Sequence, residues 1–298
     1  MSALLANRVA IITGAGRGLG RAHALALARS GARTVVNDVD AAAAEQVCRE
    51  IADGGGEALS SSANVQDLGQ VEDMVAQAIK RWGHVDILVN NAGILRDRTF
   101  AKIDLADFRL VLDVHVMGSV NCTRAVWLHM KDRAYGRIIF TTSSSGLYGN
   151  FGQSAYSTAK MALVGLMQTL ALEGSRYGIH VNCLAPSADT QMTNNLLTKE
   201  DLSALEAERV SPVVVALASE RAPSKRIVLA GAGSFEQANI TMTQGLYLPD
   251  GRLDAEHLLE QWGRIEDRSD ELVPSRGAEQ YQYEVARARE HAIGQQKK

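Results

Sequence analysis

Cysteine is scarce in this chain. Cys48, Cys122 and Cys183 are the three present, far apart and odd in number. That argues against a disulfide framework and against a metal cluster of recognisable spacing, so no metal is expected and a reducing, intracellular compartment is. An excess of charge of either sign is also missing. With 31 basic and 34 acidic residues the net charge is -3, which gives no electrostatic reason to expect nucleic acid or an anionic membrane as a partner. Long apolar runs are missing too, since none approaches the roughly 20 residues that would span a bilayer. The opening "MSALLANRVAIITGAG" has no basic n-region, and its apolar run passes into glycines instead of a cleavage site. The closing "GQQKK" is not a usual peroxisomal or endoplasmic-reticulum address, so the expected location is cytoplasmic.

What is there is an ordinary globular composition. Apolar residues make up 46% of the 298 and charged ones 22%, enough for a sizeable core in one large α/β domain or two small ones. Short β-rich runs recur: "RVAIIT" (8–13), "RTVVND" (33–38), "VDILVNN" (85–91), "GRIIFTT" (136–142), "IHVNCLA" (179–185) and "RIVLA" (226–230). Between them lie Ala- and Leu-rich stretches of helical length at 18–30, 41–52, 68–82 and 155–177. This alternation predicts βαβ units and a parallel sheet with helices on both faces, whose strands are continuously apolar because neither face meets water. The composition shifts near residue 245, so the expected division is one α/β domain at 1–245 and a C-terminal helical extension at 246–298. One amphipathic helix is expected there, capped by Asp254 with Leu258, Leu259, Trp262 and Ile265 on a face that packs on the domain or a partner subunit.

"TGAGRGLG" (13–20) follows the first strand and opens an Ala-rich helix. Glycines permit a tight turn and let backbone N–H groups approach a pyrophosphate at the positive end of the helix dipole, while the bland alternative is a merely flexible turn. The setting predicts a Rossmann-type doubly wound sheet. Asp38, at the end of the second strand, can accept hydrogen bonds from the adenosine ribose hydroxyls and repels a 2′-phosphate, so NAD is expected over NADP. Arg17 inside the turn is the one neighbour that could meet a 2′-phosphate; Asp38 could also simply cap the helix 41–52. "SANV" (62–65) and "NNAG" (90–93) fall at the ends of the third and fourth strands, the carboxyl edge where open sheets bind ligands.

"GNFGQSAYSTAK" (149–160) places Tyr156 and Lys160 at i and i+4, on one face of a helix. A phenol has a pKa near 10 and becomes a base near neutrality only if its anion is stabilised, which the Lys160 charge can do. Ser143, ending the "RIIFTTS" strand, could hold a substrate hydroxyl or carbonyl. A tyrosine and a lysine four apart also arise by chance on many helices. Their company here is a glycine turn, an acidic residue and a serine that all belong at the same sheet edge.

Together "TGAGRGLG", "NNAG", Ser143 and "YSTAK" resemble the signature of the short-chain dehydrogenase/reductase family over roughly residues 8–245. Within it, "GILRDRTF", "GLYGNFGQ" and "LAPSADTQMT" are similar to the (3R)-hydroxyacyl-CoA dehydrogenase part of peroxisomal multifunctional enzymes of type 2, also described as type 4 17β-hydroxysteroid dehydrogenases. The resemblance implies Tyr156 as base, Lys160 as the group that lowers its pKa, and Ser143 as substrate hydroxyl or oxyanion partner. It implies Gly14, Arg17, Gly18, Leu19, Gly20, Asp38, Asn64, Val65, Asn91, Ala92, Gly93, Tyr156, Lys160 and Pro186 around the cofactor. The chain departs from the wider family at His115, where an Asn is common, and at Ser187, where a Gly is. His115 is either part of a proton relay or a satisfied core histidine. The implied activity is NAD-dependent oxidation of a 3-hydroxyacyl-CoA, fatty or steroidal, in a homodimer or homotetramer, with Arg96 and Arg98 as candidate contacts for CoA phosphates. A hydroxysteroid or small-ketone oxidoreductase without CoA, and a dinucleotide-binding protein without catalysis, are the alternatives.

Overall fold

The computed structural model describes residues 4–188 and 205–296, and the chain divides into two compact units, Met1–Ala238 and Asn239–Lys298. The tail of "LAPSADTQMT", from residue 189 on, lies outside the described residues. In the first unit the strands are β1 (Val9–Thr13), β2 (Arg33–Asn37), β3 (Ala58–Ser61), β4 (Ile87–Asn90), β5 (Gly136–Thr141), β6 (Ile179–Ser187), β7 (Ile227–Gly231) and β8 (Ser234–Ala238). They form one sheet in the order β3-β2-β1-β4-β5-β6-β7-β8.

All pairs are parallel except β7 with β8. That hairpin was not expected from the sequence. Gly231 pairs with Ser234, leaving Ala232 (φ 51°) and Gly233 (φ 85°) as a two-residue loop. Two successive positive φ angles are what a tight hairpin matched to strand twist requires.

Side chains alternate across the sheet with the period of two that a strand imposes. Val9, Ile11, Leu88, Ile138 and Phe140 pack on one face against helices α3 (Leu68–Trp82), α5 (Gly118–Asp132) and α7 (Ser154–Gly174). Ala10, Ile12, Ile87, Val89 and Ile139 pack on the other against α1 (Gly18–Arg29), α2 (Ala41–Asp53) and α8 (Ser211–Ala218). Between α4 (Leu105–Leu112) and α5 the helix widens into a π turn, Asp113–Met117, and α6 (Ser144–Tyr148) precedes α7.

The strand order reverses at β1, which has β2 on one side and β4 on the other. In an open α/β sheet the crevice at such a point, outside the carboxyl ends of the strands, is where ligands bind. No helix among the described residues is long and apolar enough to cross a membrane.

In the second unit Asp254 does cap a helix, accepting from His257 N at 2.9 Å. The single helix expected there is two: α9 (Ala255–Glu260) and α10 (Trp262–Ile265), separated at Gln261, whose φ of -110° leaves the helical range. A longer helix, α11 (Ala278–Gln296), follows, and its Tyr283 hydroxyl donates to Gln244 O at 2.9 Å.

Candidate active site

The glycine turn leaves β1 at Gly14, whose φ of +62° and a virtual Cβ only 2.8 Å from Ala92 Cα both exclude a side chain. Gly20, in the first turn of α1, is more constrained: a Cβ there would lie 2.2 Å from Gly14 O. The turn is braced from β4. Asn91 donates through Nδ2 to Thr13 O (3.0 Å) and Gly14 O (3.1 Å), while Thr13 Oγ1 accepts from Asn91 N and Ala92 N, both at 3.0 Å. No side chain caps the start of α1. Its first-turn N–H groups therefore face the crevice as donors at the positive end of the helix dipole, a cradle that fits a pyrophosphate. Gly20→Ala is expected to lower stability by about 1–3 kcal/mol, as overpacking does, and to weaken binding of the nicotinamide dinucleotide at least ~10-fold. Thermal melts and an NADH fluorescence titration measure both.

Asp38 follows β2 and its carboxylate is held by two backbone donors, Gly16 N at 2.9 Å and Asp40 N at 3.0 Å. It does not cap α2. Asp40 does, immediately before the helix, accepting from Ala43 N at 3.1 Å. Arg17, the candidate for a 2′-phosphate, is paired with Asp40 at 2.6 Å on the surface. The clamp on Asp38 through Gly16 was missed in the sequence, where only the glycine spacing flagged the turn.

Asn64 and Val65 stand where β3 leads into α3. Asn64 Oδ1 accepts from Gln66 N (3.1 Å), and Val65 is buried with its carbonyl held by Asn121 Nδ2 at 2.9 Å. Leu19 packs into the core behind the turn, and Pro186 and Ser187 end β6 at the same carboxyl edge. Arg96 pairs with Asp107 (3.4 Å), and the exposed Arg98 donates to Asp97 O (2.9 Å).

Ser143, Tyr156 and Lys160 come together. Ser143 caps α6, accepting from Ser145 N at 3.2 Å, and its hydroxyl faces the Tyr156 phenol. Lys160, 3% exposed, donates from Nζ to Thr141 O at 2.6 Å and lies 5.4 Å from the Tyr156 ring centre. Its helical carbonyl accepts from Thr142 Oγ1 at 2.6 Å, fastening α7 to the end of β5.

Burial dominates the electrostatics of the protein by itself. It raises the Tyr156 pKa, against which the Ser143 hydrogen bond acts and to which the charge of Asp97 adds. It lowers Lys160 to about 7. Lys160 near neutrality is thus partly charged, and the phenol holds its proton until an additional positive charge or a higher pH removes it.

His115 sits in the π turn, buried, with its ring edge-on to Tyr156 at 5.4 Å between centres. Its Nε2 is 2.8 Å from Ile94 O and 3.0 Å from Ile94 N, and its buried Nδ1 has no partner among the described residues. Burial first, then the Lys160 charge, lowers its pKa to about 3, so the imidazole is neutral at any working pH. Gly93 makes room for it, since a Cβ at 93 would fall 2.2 Å from His115 Cε1.

Residues 8–201 match the family described as short chain dehydrogenase. The chain is 43% identical over 276 residues to the peroxisomal hydratase-dehydrogenase-epimerase of Saccharomyces cerevisiae, covering 89% of this chain and 30% of that protein. It is 40% identical over 273 residues to a putative short-chain type dehydrogenase/reductase of Mycobacterium tuberculosis, covering 88% and 95%. Among solved structures, full-length peroxisomal multifunctional enzyme type 2 of Drosophila melanogaster aligns with a TM-score of 0.81 at 36% identity, over 94% of this chain and 49% of that one. A 7α-hydroxysteroid dehydrogenase complexed with NADH and 7-oxo glycochenodeoxycholic acid aligns with a TM-score of 0.72 at 29% identity, over 77% and 95%. The chain thus spans about a third to a half of the peroxisomal relatives, and nearly all of the mycobacterial one. It belongs to the short-chain dehydrogenase family, an oxidoreductase acting on a CH–OH group with a nicotinamide dinucleotide.

Proposed function

We propose that the protein oxidises the 3-hydroxyl of an acyl-CoA thioester to the ketone, with NAD rather than NADP as hydride acceptor. The observation that carries the chemistry is the triad of Ser143 facing Tyr156 with Lys160 buried behind it, at the carboxyl edge beside an uncapped helix start. Bound NAD supplies the hydride acceptor and a positively charged ring. Ser143 orients the substrate hydroxyl, Tyr156 takes its proton, and Lys160 stabilises the phenolate, its own proton held against Thr141 O. The relatives with hydratase-dehydrogenase-epimerase and multifunctional type 2 names support the thioester reading.

The preference for NAD rests on Asp38. Its carboxylate is pre-set by two N–H donors and is not neutralised by Arg17, which is engaged with Asp40. A 2′-phosphate would meet a fixed like charge. Asp38→Asn is expected to move the NAD to NADP ratio of kcat/KM toward NADP by about 10- to 100-fold, in line with removal of one such clash.

The likeness to a hydroxysteroid dehydrogenase favours a second substrate class, the free secondary alcohol of a steroid. One panel separates the two. Values of kcat/KM are measured for 3-hydroxyacyl-CoA, for hydroxysteroids and for simple alcohols, each with NAD and NADP. Thioesters turned over no better than the free alcohols would sink the proposal.

A further inference from the structure

Gly16, Arg17, Asp38 and Asp40 close a ring at the place expected for the adenosine ribose. Asp38 accepts from Gly16 N at 2.9 Å and from Asp40 N at 3.0 Å. Asp40 in turn divides its carboxylate, Oδ1 accepting from Ala43 N at 3.1 Å and Oδ2 from Arg17 Nη2 at 2.6 Å. Arg17 is the residue after Gly16, which completes the circuit. A Cβ at 16 would stand 2.9 Å from Asp38 Oδ2 and 2.8 Å from Ala43 Cβ, so the ring is closely packed where it turns back.

The ring decides where one cation points. Arg17 leaves the glycine turn in extended conformation, immediately before α1, and its side chain does not cap that helix. That side chain is 59% exposed, so packing does not fix it. An exposed ion pair is weak when both side chains are free to wander. Here Asp40 is not free, because the start of α2 holds its other oxygen and the ordering of one partner has already been met. Arg21, one turn further along, is taken up by Glu50 of α2 at 2.6 Å. Arg17 remains within one side-chain length of whatever Asp38 touches, since Asp38 is bonded to the residue before it.

We propose that Asp40 is a positioning residue for cofactor choice: it holds the Arg17 guanidinium toward the start of α2 and so withholds it from a 2′-phosphate on the adenosine ribose. This rests on the NAD reading above and adds a second element to it. Asp38 repels the phosphate, and Asp40 keeps back the counter-charge that would offset the repulsion. A guanidinium matches a phosphate well, because its planar fork can present two parallel N–H donors. Aimed by Asp40, that fork faces a carboxylate of the protein instead.

The test is a double-mutant cycle in the full-length protein, read as dissociation constants of NADH and NADPH by fluorescence titration without substrate. Asp40→Ser releases Arg17 and leaves a hydroxyl that can still cap α2. It is expected to tighten NADPH relative to NADH on the order of 10-fold, the lower range of a hydrogen bond to a charged group. Arg17→Gln alone should move that ratio by less than about 2-fold, whereas in the Asp40→Ser background it should remove the whole gain, the non-additivity of two groups in contact. Arg21→Gln is the control, and the gain should survive it.

A ratio unmoved by Asp40→Ser overturns the proposal. So does an Arg17→Gln effect of equal size in both backgrounds, which would mean that the two residues act through their charges alone and not through their contact. Loss of the α2 cap by itself lowers the melting temperature and produces no such coupling. Either negative result, with wild type still favouring NADH, leaves the NAD reading standing and removes Asp40 from it. A wild type that binds NADPH as tightly as NADH overturns both.

Discussion

Tyr156→Phe is expected to lower kcat for alcohol oxidation by about 10³-fold, with NADH affinity unchanged within about 2-fold. The phenylalanine keeps the ring that packs edge-on against His115 and removes only the hydroxyl that faces Ser143. The glycine turn and the Asp38 clamp are built from Gly14, Gly16, Asp40 and Asn91, so the substitution leaves their hydrogen bonds in place. Lys160 is a less clean probe. Its ammonium donates to Thr141 O within the core, so Lys160→Met also leaves a buried carbonyl without its donor and mixes stability with chemistry.

The pH profile carries the second half of that result. Because burial raises the phenol, the rate of oxidation should climb with pH on the alkaline side of neutrality, and the limb should vanish in the residual activity of Tyr156→Phe. A variant that kept near-wild-type kcat while binding NADH normally would remove Tyr156 from the reaction.

The grouping of the candidate site residues was legible in the sequence to the extent that it is local. The glycine turn, Asp38, Ser143 and the Tyr156–Lys160 pair are each set by spacing within one βα unit, and strand-then-helix order suffices to bring them to one sheet edge. Residues that act through distant partners were not legible. Thr13 and Asn91 brace each other across 78 positions, and Asp97 meets Gln153 across 56. No periodicity in a single chain marks such pairs.

Local competition misled in smaller ways. Two carboxylates at 38 and 40 bid for one helix start, and the one adjacent to the helix won it, which leaves Asp38 to the glycine turn. β3, partly exposed and ending in serines, was placed only by the motif after it, and β8 is mostly exposed, so neither has the apolar run that marks a central strand. The side chain at 115 was known to be unusual from sequence. Only its burial against Tyr156, in a π turn, shows why its imidazole is neutral.

Neutral, buried imidazoles have a cost that falls on acid stability. His23, fully buried on α1, shares a hydrogen bond of 3.0 Å with Ser211 Oγ at the start of α8 and has no partner at Nε2 among the described residues. Burial lowers its pKa to about 3, as it does for His115. Both folded values lie below the ordinary 6.5, so between pH 6.5 and 3 the unfolded chain binds protons that the folded one refuses. Stability from these two groups is complete above pH 6.5 and drains as pH falls, by about 1.4 kcal/mol per pH unit for each.

At pH 5 the pair should cost about 4 kcal/mol, a large part of the roughly 5–15 kcal/mol that a folded protein holds. Urea midpoints between pH 5 and 7.5 at constant ionic strength measure the slope. His23→Asn keeps a group able to bond Ser211 but does not titrate, and should lose about half of the slope, His115 carrying the rest; an unchanged slope would discard the idea. The position of His23 gives the effect a functional reading. It joins α1 to α8, and α1 carries Gly18 and Gly20 at its start, so the expected result is that protonation of His23 loosens the glycine turn first. NADH binding should accordingly fail at a higher pH than the one at which helical signal is lost, and in His23→Asn the two losses should converge.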